Sequence, residues 1–310
     1  SKFKSPKFKP IFFYVSIAII FLIVIVSLLG SKKNNNFIKN EEILKKSVTN
    51  LKRDHSENPR KQRTNITYDF SCLSSKGDMR SNEVIYSFGE ITRSVQSDFF
   101  DDIEISVTDE QKAGKELLNH YKKNYRFINS GKERENLNSI LNNLVKRLAK
   151  PRGFNYKIFL IDDKTVNALT LGGHIFFFKG MYDFCVSNSE LAAIISHEIA
   201  HNELGHSTLA MKKQKAADEW GVFGQIFLEL ENLTTKSFNQ KQESEADLFG
   251  IDLVHPAKFN ECESIELWTR MGKNENYNVF ENFFRGHPYS NKRSKCIKNH
   301  LETNYNKSCL

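Results

Sequence analysis

The sequence of 310 residues has few cysteines, one long apolar run and no internal repeat. Its five cysteines include no Cys-x-x-Cys pair, which argues against a thiolate zinc site and against a dithiol redox motif. The mean hydropathy of −0.49 excludes a multi-span membrane protein. A wholly disordered chain is excluded as well, because 25 Phe and 10 Tyr can form a hydrophobic core.

Excess positive charge is confined to the N-terminal region. Residues 1–63 carry 14 Lys and Arg against four Asp and Glu, whereas the remainder carries 31 basic and 33 acidic residues. No basic stripe with interleaved aromatic residues follows, so we expect no nucleic-acid partner. A basic arm beside a membrane anchor accounts better for this distribution.

The apolar run extends from Ile11 to Leu29 and contains no charged residue over 19 positions. At about 1.5 Å per residue, a helix of this length nearly crosses a hydrocarbon core of about 30 Å. No Ala-x-Ala cleavage sequence follows, and no cysteine follows Gly30 to form a lipoprotein site. We predict an uncleaved transmembrane helix over residues 11–30, with a long cleaved signal peptide as the alternative. Lysines flank the run on both sides, so they do not fix its orientation.

The rest of the chain divides by composition into a basic tail at 1–10, a polar basic linker at 31–63, an extension at 64–107 and a globular domain at 108–305. Apolar spacing near 3.6 residues predicts helices there, and alternating or β-branched runs predict strands. The predicted elements are strands at Val84–Phe88 and Ile103–Val107, helices at Asp109–Tyr125 and Glu133–Ala149, and strands at Tyr156–Ile161 and His174–Phe178. Ser187-Asn-Ser-Glu190 has the pattern of a capping box, which predicts a further helix starting near Ser189.

The helix that starts near Ser189 contains His197-Glu198-Ile-Ala-His201. Histidines at positions i and i+4 lie on one helical face, so both imidazoles can bind the same metal ion. Glu198 is placed to take a proton from a water molecule that such an ion activates. Apolar neighbours indicate that this helix is buried, which argues against two unrelated surface histidines. The motif predicts a zinc-dependent hydrolase.

A pair of carboxylates at helical spacing follows 42 residues after His201. Glu243 and Asp247 belong to Glu243-Ser-Glu245-Ala-Asp247, on a helical pattern that runs to about Val254. One carboxylate can complete a His₂Glu metal site. The other can accept the ring N–H of a ligand histidine and fix its tautomer. An ordinary acidic helix face is the alternative, although it is less convincing beside the histidine motif.

Together these segments resemble the membrane-associated zinc metallopeptidases that include HtpX and the CAAX prenyl protease, and most of all the BepA-like and OMA-type branch. The resemblance extends over about Asp109–His300. It implies that Glu243 is the third zinc ligand and that Asp247 supports a ligand without touching the metal. The family often has Tyr-Ser-Arg ahead of the acidic motif, whereas this chain has Phe238-Asn239-Gln240, which puts a local salt bridge in doubt.

A strand segment also takes part in the resemblance. Residues 167–176, which begin with Asn167 and include Gly172-Gly173-His174-Ile175, resemble the family's strand above the zinc. The edge of such a strand can pair with an extended peptide. The resemblance therefore implies substrate contacts from Asn167, Gly172, Gly173, His174 and Ile175. A plain core hairpin is the alternative.

The segment His287-Pro-Tyr-Ser-Asn-Lys-Arg293 resembles the family's His-Pro-x₄-Arg segment. The resemblance implies that His287 stabilises the oxyanion or approaches the zinc, and that Arg293 orients His287 or the carboxylates. A His287 that reaches the zinc would hold the enzyme latent, whereas a plain helix-start histidine is the alternative. His206 follows His201 by five residues and does not share its helical face, so we expect a structural role for it.

The resemblance implies an α+β fold: a mostly helical zincin-type domain with a small β-sheet edging the active-site cleft. We expect a membrane-anchored zinc endopeptidase with one Zn²⁺ per chain, acting on protein or peptide substrates in quality control. The alternatives are a zinc-binding chaperone or assembly factor with little proteolysis, and an interaction protein with an accidental motif. We expect the catalytic domain to be periplasmic or in the mitochondrial intermembrane space. Three cysteines in the last 49 residues allow a disulfide among them, and one of the five stays unpaired in a monomer.

Overall fold

The computed structural model describes residues 65–73, 103–208, 211–212, 240–273, 280, 283, 287 and 291–309. The predicted basic tail, transmembrane helix and linker lie outside these ranges, as does most of the extension at 64–107 with its predicted strand at Val84–Phe88. Within the described ranges, no helix combines the length and the apolar character that crossing a membrane requires.

Helices and a small mixed sheet make up the described chain. The helices are α1 (Val107–Asn124), α2 (Lys132–Val145), α3 (Lys179–Phe184), α4 (Asn188–Glu203), α5 (Gln240–Val254), α6 (Glu261–Lys273) and α7 (Asn291–Tyr305). The strands are β1 (Phe127–Ile128), β2 (Lys157–Ile161), β3 (Ala168–Leu171) and β4 (His174–Phe178). The predicted mostly helical domain with a small sheet is confirmed.

The predicted strand at Ile103–Val107 is wrong, because residues 103–106 form no strand and Val107 begins α1. The Asp109 N–H donates to the Ser106 hydroxyl, and the Ser106 N–H donates to the Asp109 carboxylate. This reciprocal capping satisfies backbone donors at the start of a helix, so the chain turns into α1 instead of staying extended. The predicted helix at Glu133–Ala149 is confirmed as α2, although it ends four residues early, at Val145.

The sheet has the strand order β1-β2-β4-β3, with β2 and β4 parallel and the other neighbours antiparallel. The strands β3 and β4 form a hairpin with the two-residue turn Gly172–Gly173, where φ is +57° and +80°. A turn with positive φ at both positions matches the twist of a hairpin, and glycine adopts it without steric cost. In the described sheet, β3 is an edge strand.

Helices cover both faces of the sheet. Phe176 and Phe178 of β4 pack in a cluster with α1, whereas Ile175 and Phe177 join the larger core formed with α2, α4 and α5. Because both faces are covered, every side chain of β3 and β4 is buried.

The central element is α4, in which every residue from Glu190 to Glu203 is buried. Ser187 caps its start, since its hydroxyl accepts the Glu190 N–H, and this confirms the predicted helix start. The predicted capping box is incomplete, because the Glu190 carboxylate accepts the Val186 N–H instead. The neighbouring helix α5 approaches closely at Gly250, where a Cβ atom would lie 2.9 Å from Ser196 Oγ. This close approach brings the carboxylates of α5 beside the histidines of α4.

Two disulfides tie the N-terminal extension and the C-terminus to the domain. Cys72–Cys296 joins residues 65–73 to α7, and Cys262–Cys309 joins α6 to the C-terminal segment. The second disulfide lies among the last three cysteines, where the sequence allowed one without giving the partners, and Cys185 is the unpaired cysteine of the described residues. Tyr68 further anchors the extension, because its hydroxyl donates to the buried Asp252 carboxylate at 2.7 Å.

Candidate metal centre

Four side chains with metal-binding atoms converge in the middle of the domain. They are His197 and His201 on α4, Glu243 on α5, and His287, and their ligand atoms all lie within 4.8 Å of one another. All four are buried, with at most 2% of the residue surface exposed. The structure therefore brings together the three ligands predicted from sequence and adds His287 to them.

The separations between these atoms fit a tetrahedral zinc ion. His197 Nε2 lies 3.0 Å from His201 Nε2 and 3.1 Å from His287 Nδ1. Glu243 Oε1 lies 3.4 Å from His201 Nε2 and 3.4 Å from His287 Nδ1, and Glu243 Oε2 lies 3.5 Å from His197 Nε2. Ligands placed about 2.0–2.1 Å from a tetrahedral zinc ion lie about 3.3–3.4 Å from one another. The donor set and its spacing both suit zinc.

Glu198 is fully buried beside these ligands. Neither of its carboxylate oxygens has a hydrogen-bond partner among the described residues, and Oε1 lies 3.5 Å from His287 Nε2. Burial raises the pKa of Glu198, and the neighbouring His287 and His197 offset this only in part. A carboxylate with a raised pKa and unused acceptor atoms is suited to take up a proton.

Arg293 of α7 holds the two carboxylates that α5 presents. Its Nε donates to Asp247 Oδ2 at 2.7 Å and its Nη2 to Asp247 Oδ1 at 2.8 Å, while Nη1 lies 2.8 Å from Glu243 Oε2. Asp247 Oδ1 also lies 3.0 Å from His197 Nδ1, as in sites where a carboxylate orients a ligand histidine. Burial raises the pKa of both carboxyl groups, but Arg293 and the neighbouring histidines together outweigh burial and lower the pKa of Glu243 and of Asp247 below the usual values.

Comparison with known proteins agrees with this geometry. Residues 131–301, more than half of the chain, match the profile of peptidase family M48. The chain belongs to peptidase family M48. It is similar to the mitochondrial metalloendopeptidase OMA1 of Schizosaccharomyces pombe, with 31% identity over 172 residues that cover 51% of each chain. Metalloprotease LoiP of Escherichia coli is 28% identical over 161 residues, which are 47% of this chain and 62% of LoiP.

A third relative is the beta-barrel assembly-enhancing protease of Escherichia coli. It is 29% identical over 125 residues, which are 34% of this chain and 26% of that protein. The chain thus spans about half of the yeast OMA1 and less than two thirds of each of these relatives.

The β3–β4 hairpin of this M48 domain carries the residues predicted to contact substrate. The Asn167 carbonyl accepts the Phe178 N–H at 3.1 Å, and the Ile175 side chain lies in the core. A Cβ atom on Gly172 would lie 1.8 Å from the Glu110 carbonyl oxygen, so α1 covers the turn. His174 is also buried and stacks on Phe159. Substrate contact by this hairpin stays a prediction.

His206 contacts the predicted metal ligand His201. This contact was not predicted from the sequence. His206 Nδ1 lies 2.8 Å from His201 Nδ1, and its Nε2 lies 3.4 Å from Glu245 Oε2. The helix α4 ends at Glu203 and Gly205 has a φ of +68°, so the chain reverses and returns His206 to His201. Spacing along a continuous helix does not predict this contact. The glycine after an apolar helix does signal the helix end that makes it feasible.

Proposed function

We propose that the chain is a zinc-dependent endopeptidase that hydrolyses peptide bonds of protein substrates. The observation that carries this proposal is the buried convergence of His197, His201 and Glu243 beside Glu198. Membership of peptidase family M48 supports it. In this proposal the two histidines and Glu243 hold one Zn²⁺ ion per chain.

When bound, zinc supplies a Lewis acid that lowers the pKa of a water molecule and polarises the scissile carbonyl. The residues around the ligands perform the other tasks. Asp247 accepts the Nδ1–H of His197 and so directs its Nε2 towards the other ligand atoms. Arg293 balances the charge of Asp247 and Glu243, which lets both carboxylates stay ionised although they are buried.

Glu198 is the general base in this mechanism. Its unpartnered oxygens take a proton from the attacking water, and the same carboxyl group then gives that proton to the amine that leaves. The raised pKa of Glu198 favours the first transfer, because a more basic carboxylate accepts a proton more readily. Stabilisation of the tetrahedral oxyanion by His287 is the role predicted from sequence.

The position of His287 supports a different role, that of a fourth ligand in a latent enzyme. Its Nδ1 lies 3.1 Å from His197 Nε2 and 3.4 Å from Glu243 Oε1, so it belongs to the same group of ligand atoms. A catalytic zinc site keeps one position open for water, whereas four protein ligands close it. We propose that His287 must withdraw before substrate is cleaved.

The cellular setting that we propose is protein quality control at a membrane. The names of the relatives, which include mitochondrial metalloendopeptidases and beta-barrel assembly-enhancing proteases, support this setting. The apolar run from Ile11 to Leu29 supports a single membrane anchor. Two disulfides support an oxidising compartment outside the cytoplasm, since such bonds persist there and are rare in the cytosol.

The first test combines zinc content with casein cleavage for the full chain and its Glu198→Gln variant. We expect one zinc per chain in both proteins and cleavage in the wild type alone. Zinc in both proteins without cleavage by either would favour the latent or holding role. Absence of zinc from both would refute the proposal.

The latent form is tested by His287→Ala. We expect this variant to bind zinc with three protein ligands and to cleave casein faster than the wild type. Unchanged or lower cleavage by a zinc-loaded His287→Ala chain would show that His287 does not hold the enzyme latent.

A further inference from the structure

Asn202 follows the ligand His201 directly and is 4% exposed. Its side-chain amide bonds in three directions. Nδ2 donates to Thr170 Oγ1 of β3 at 2.6 Å and to the Glu198 carbonyl at 2.9 Å, and Oδ1 accepts the Gly173 N–H at 3.0 Å. One side chain thus connects the ligand helix α4 with both the edge strand and the turn of the hairpin.

The hydrogen-bond register of the hairpin shows which backbone groups of β3 face the edge that does not pair with β4. The Asn167 carbonyl accepts the Phe178 N–H, so these two residues form a hydrogen-bonded pair. In an antiparallel ladder such pairs alternate with pairs whose N–H and C=O groups point away from the partner strand. The outward groups therefore belong to Ala168 and Thr170, which lie opposite Phe177 and Ile175.

Thr170 has outward-facing backbone groups and also a side chain that hydrogen-bonds to Asn202. Its backbone N–H and C=O face the edge where an extended peptide can add as a further strand. Its side chain is held on the inside, since Oγ1 donates to the His174 carbonyl at 3.1 Å and accepts from Asn202. The Asn202 side chain therefore links this edge directly to α4.

The helix end that carries Asn202 is itself held by the half-buried Arg152 and two buried carboxylates. Arg152 Nη1 donates to the Asn202 carbonyl at 2.5 Å, and Arg152 Nη2 pairs with Glu110 of α1 at 2.6 Å. The Glu203 carboxylate accepts the Arg152 N–H and the Tyr156 hydroxyl, each at 2.8 Å. Asn202 thus projects from a rigid base, as a residue that positions another element must.

From these contacts we propose that Asn202 is a positioning residue for substrate. This inference rests on the proposed endopeptidase function. Asn202 holds the outward backbone groups of Ala168 and Thr170 at the distance from α4 at which a peptide bound to them reaches Glu198. Loss of Asn202 should weaken the binding of extended peptides and leave the metal ligands in place, because the amide contacts none of their ring nitrogens or carboxylates among the described residues.

The test uses the full 310-residue chain in a mild detergent. The substrate is an internally quenched peptide that spans the first casein bond cut by the wild type, as mapped by mass spectrometry. Asn202→Ala and Thr170→Val each remove the bond between the two side chains. We expect KM to rise about tenfold in both, with kcat changed much less and zinc content unchanged. Thr170→Ser keeps the hydroxyl and should restore KM towards the wild-type value.

A control and two readouts that need no turnover complete the design. Asn143→Ala removes a side-chain hydrogen bond to the Ala257 carbonyl, away from the hairpin, and should leave KM unchanged. Hydrogen exchange at the Gly173 N–H should quicken in Asn202→Ala, since that N–H donates to Asn202. Binding of the same peptide is measured in a Glu198→Gln background. If the wild type cuts no casein bond, the peptide is taken from the most exposed extended segment of casein. In the Glu198→Gln background, Asn202→Ala should weaken binding about tenfold.

The outcomes separate this inference from the proposed function. If the wild type and His287→Ala both bind the peptide and neither cleaves it, endopeptidase activity alone is refuted, and the positioning role stands if Asn202→Ala still weakens binding. A loss of kcat or zinc with unchanged KM in Asn202→Ala and Thr170→Val overturns the positioning role. A chain that neither binds nor cleaves the peptide overturns both.

Discussion

Replacing Arg293 with methionine should destabilise the domain strongly. Arg293 is 1% exposed, and it makes two bonds to Asp247 and one ion pair to Glu243. Methionine fills much of the same space but leaves the buried Asp247 carboxylate without a cation and removes the guanidinium from Glu243. Removing one partner of a buried ion pair costs about 3–5 kcal/mol, because the other charge stays desolvated.

The expected loss in the free energy of unfolding can be measured by urea unfolding at a fixed zinc concentration, with circular dichroism as the signal. In a thermal melt of a domain of this size, a loss of about 3–5 kcal/mol corresponds to a fall in Tm of roughly 10 °C. Lys295→Met is the matched control, since Lys295 is exposed on the same helix and its replacement should change stability by less than about 0.5 kcal/mol.

A double-mutant cycle tests the physical reason. Asp247→Asn removes one of the two carboxylate charges, so Arg293→Met should cost less in that background than in the wild type. We expect a coupling free energy of about 2 kcal/mol, within the range found for residues in one buried network. A coupling below about 0.5 kcal/mol would mean that the ion pair does not cause the loss, and the reasoning would fail.

Three further predictions concern other parts of the domain. His206→Ala should weaken zinc binding about 10–100-fold in competition with a chromogenic chelator, because it removes the partner of His201 Nδ1. Gly114→Ala should lower stability to urea by about 1–3 kcal/mol despite its better helix propensity, since a Cβ would lie 2.2 Å from the Leu171 carbonyl oxygen; Lys115→Ala, at an exposed position, is the control. Removing the Cys72–Cys296 disulfide by a double serine replacement should cost about 3–5 kcal/mol, as it closes a loop of 224 residues; an equal stability of mutant and oxidised wild type would contradict this.

The parts of the fold and site that sequence predicts are those with local signals. The i, i+4 spacing brings His197 and His201 onto one helical face, and the Ser187 cap predicts where that helix begins. Both depend on contacts within about one turn of helix, which the sequence displays directly. By contrast, the strand predicted at Ile103–Val107 is wrong, because a helix cap forms at the end of this β-branched run. The Ser106 and Asp109 bonds satisfy the helix start, and no neighbouring strand competes for those residues in the described sheet.

The contact between His206 and His201 was not predicted from the sequence because the chain changes direction between them. At the end of α4 the Gly205 N–H donates to the Asn202 carbonyl and the His206 N–H to the His201 carbonyl, with Gly205 at positive φ. This pair of bonds defines a Schellman motif, which ends a helix and sends the following residue back along it. The five-residue spacing from His201 argues against a contact only if the helix continues. Because it ends two residues after His201, His206 can support that ligand from outside the helix.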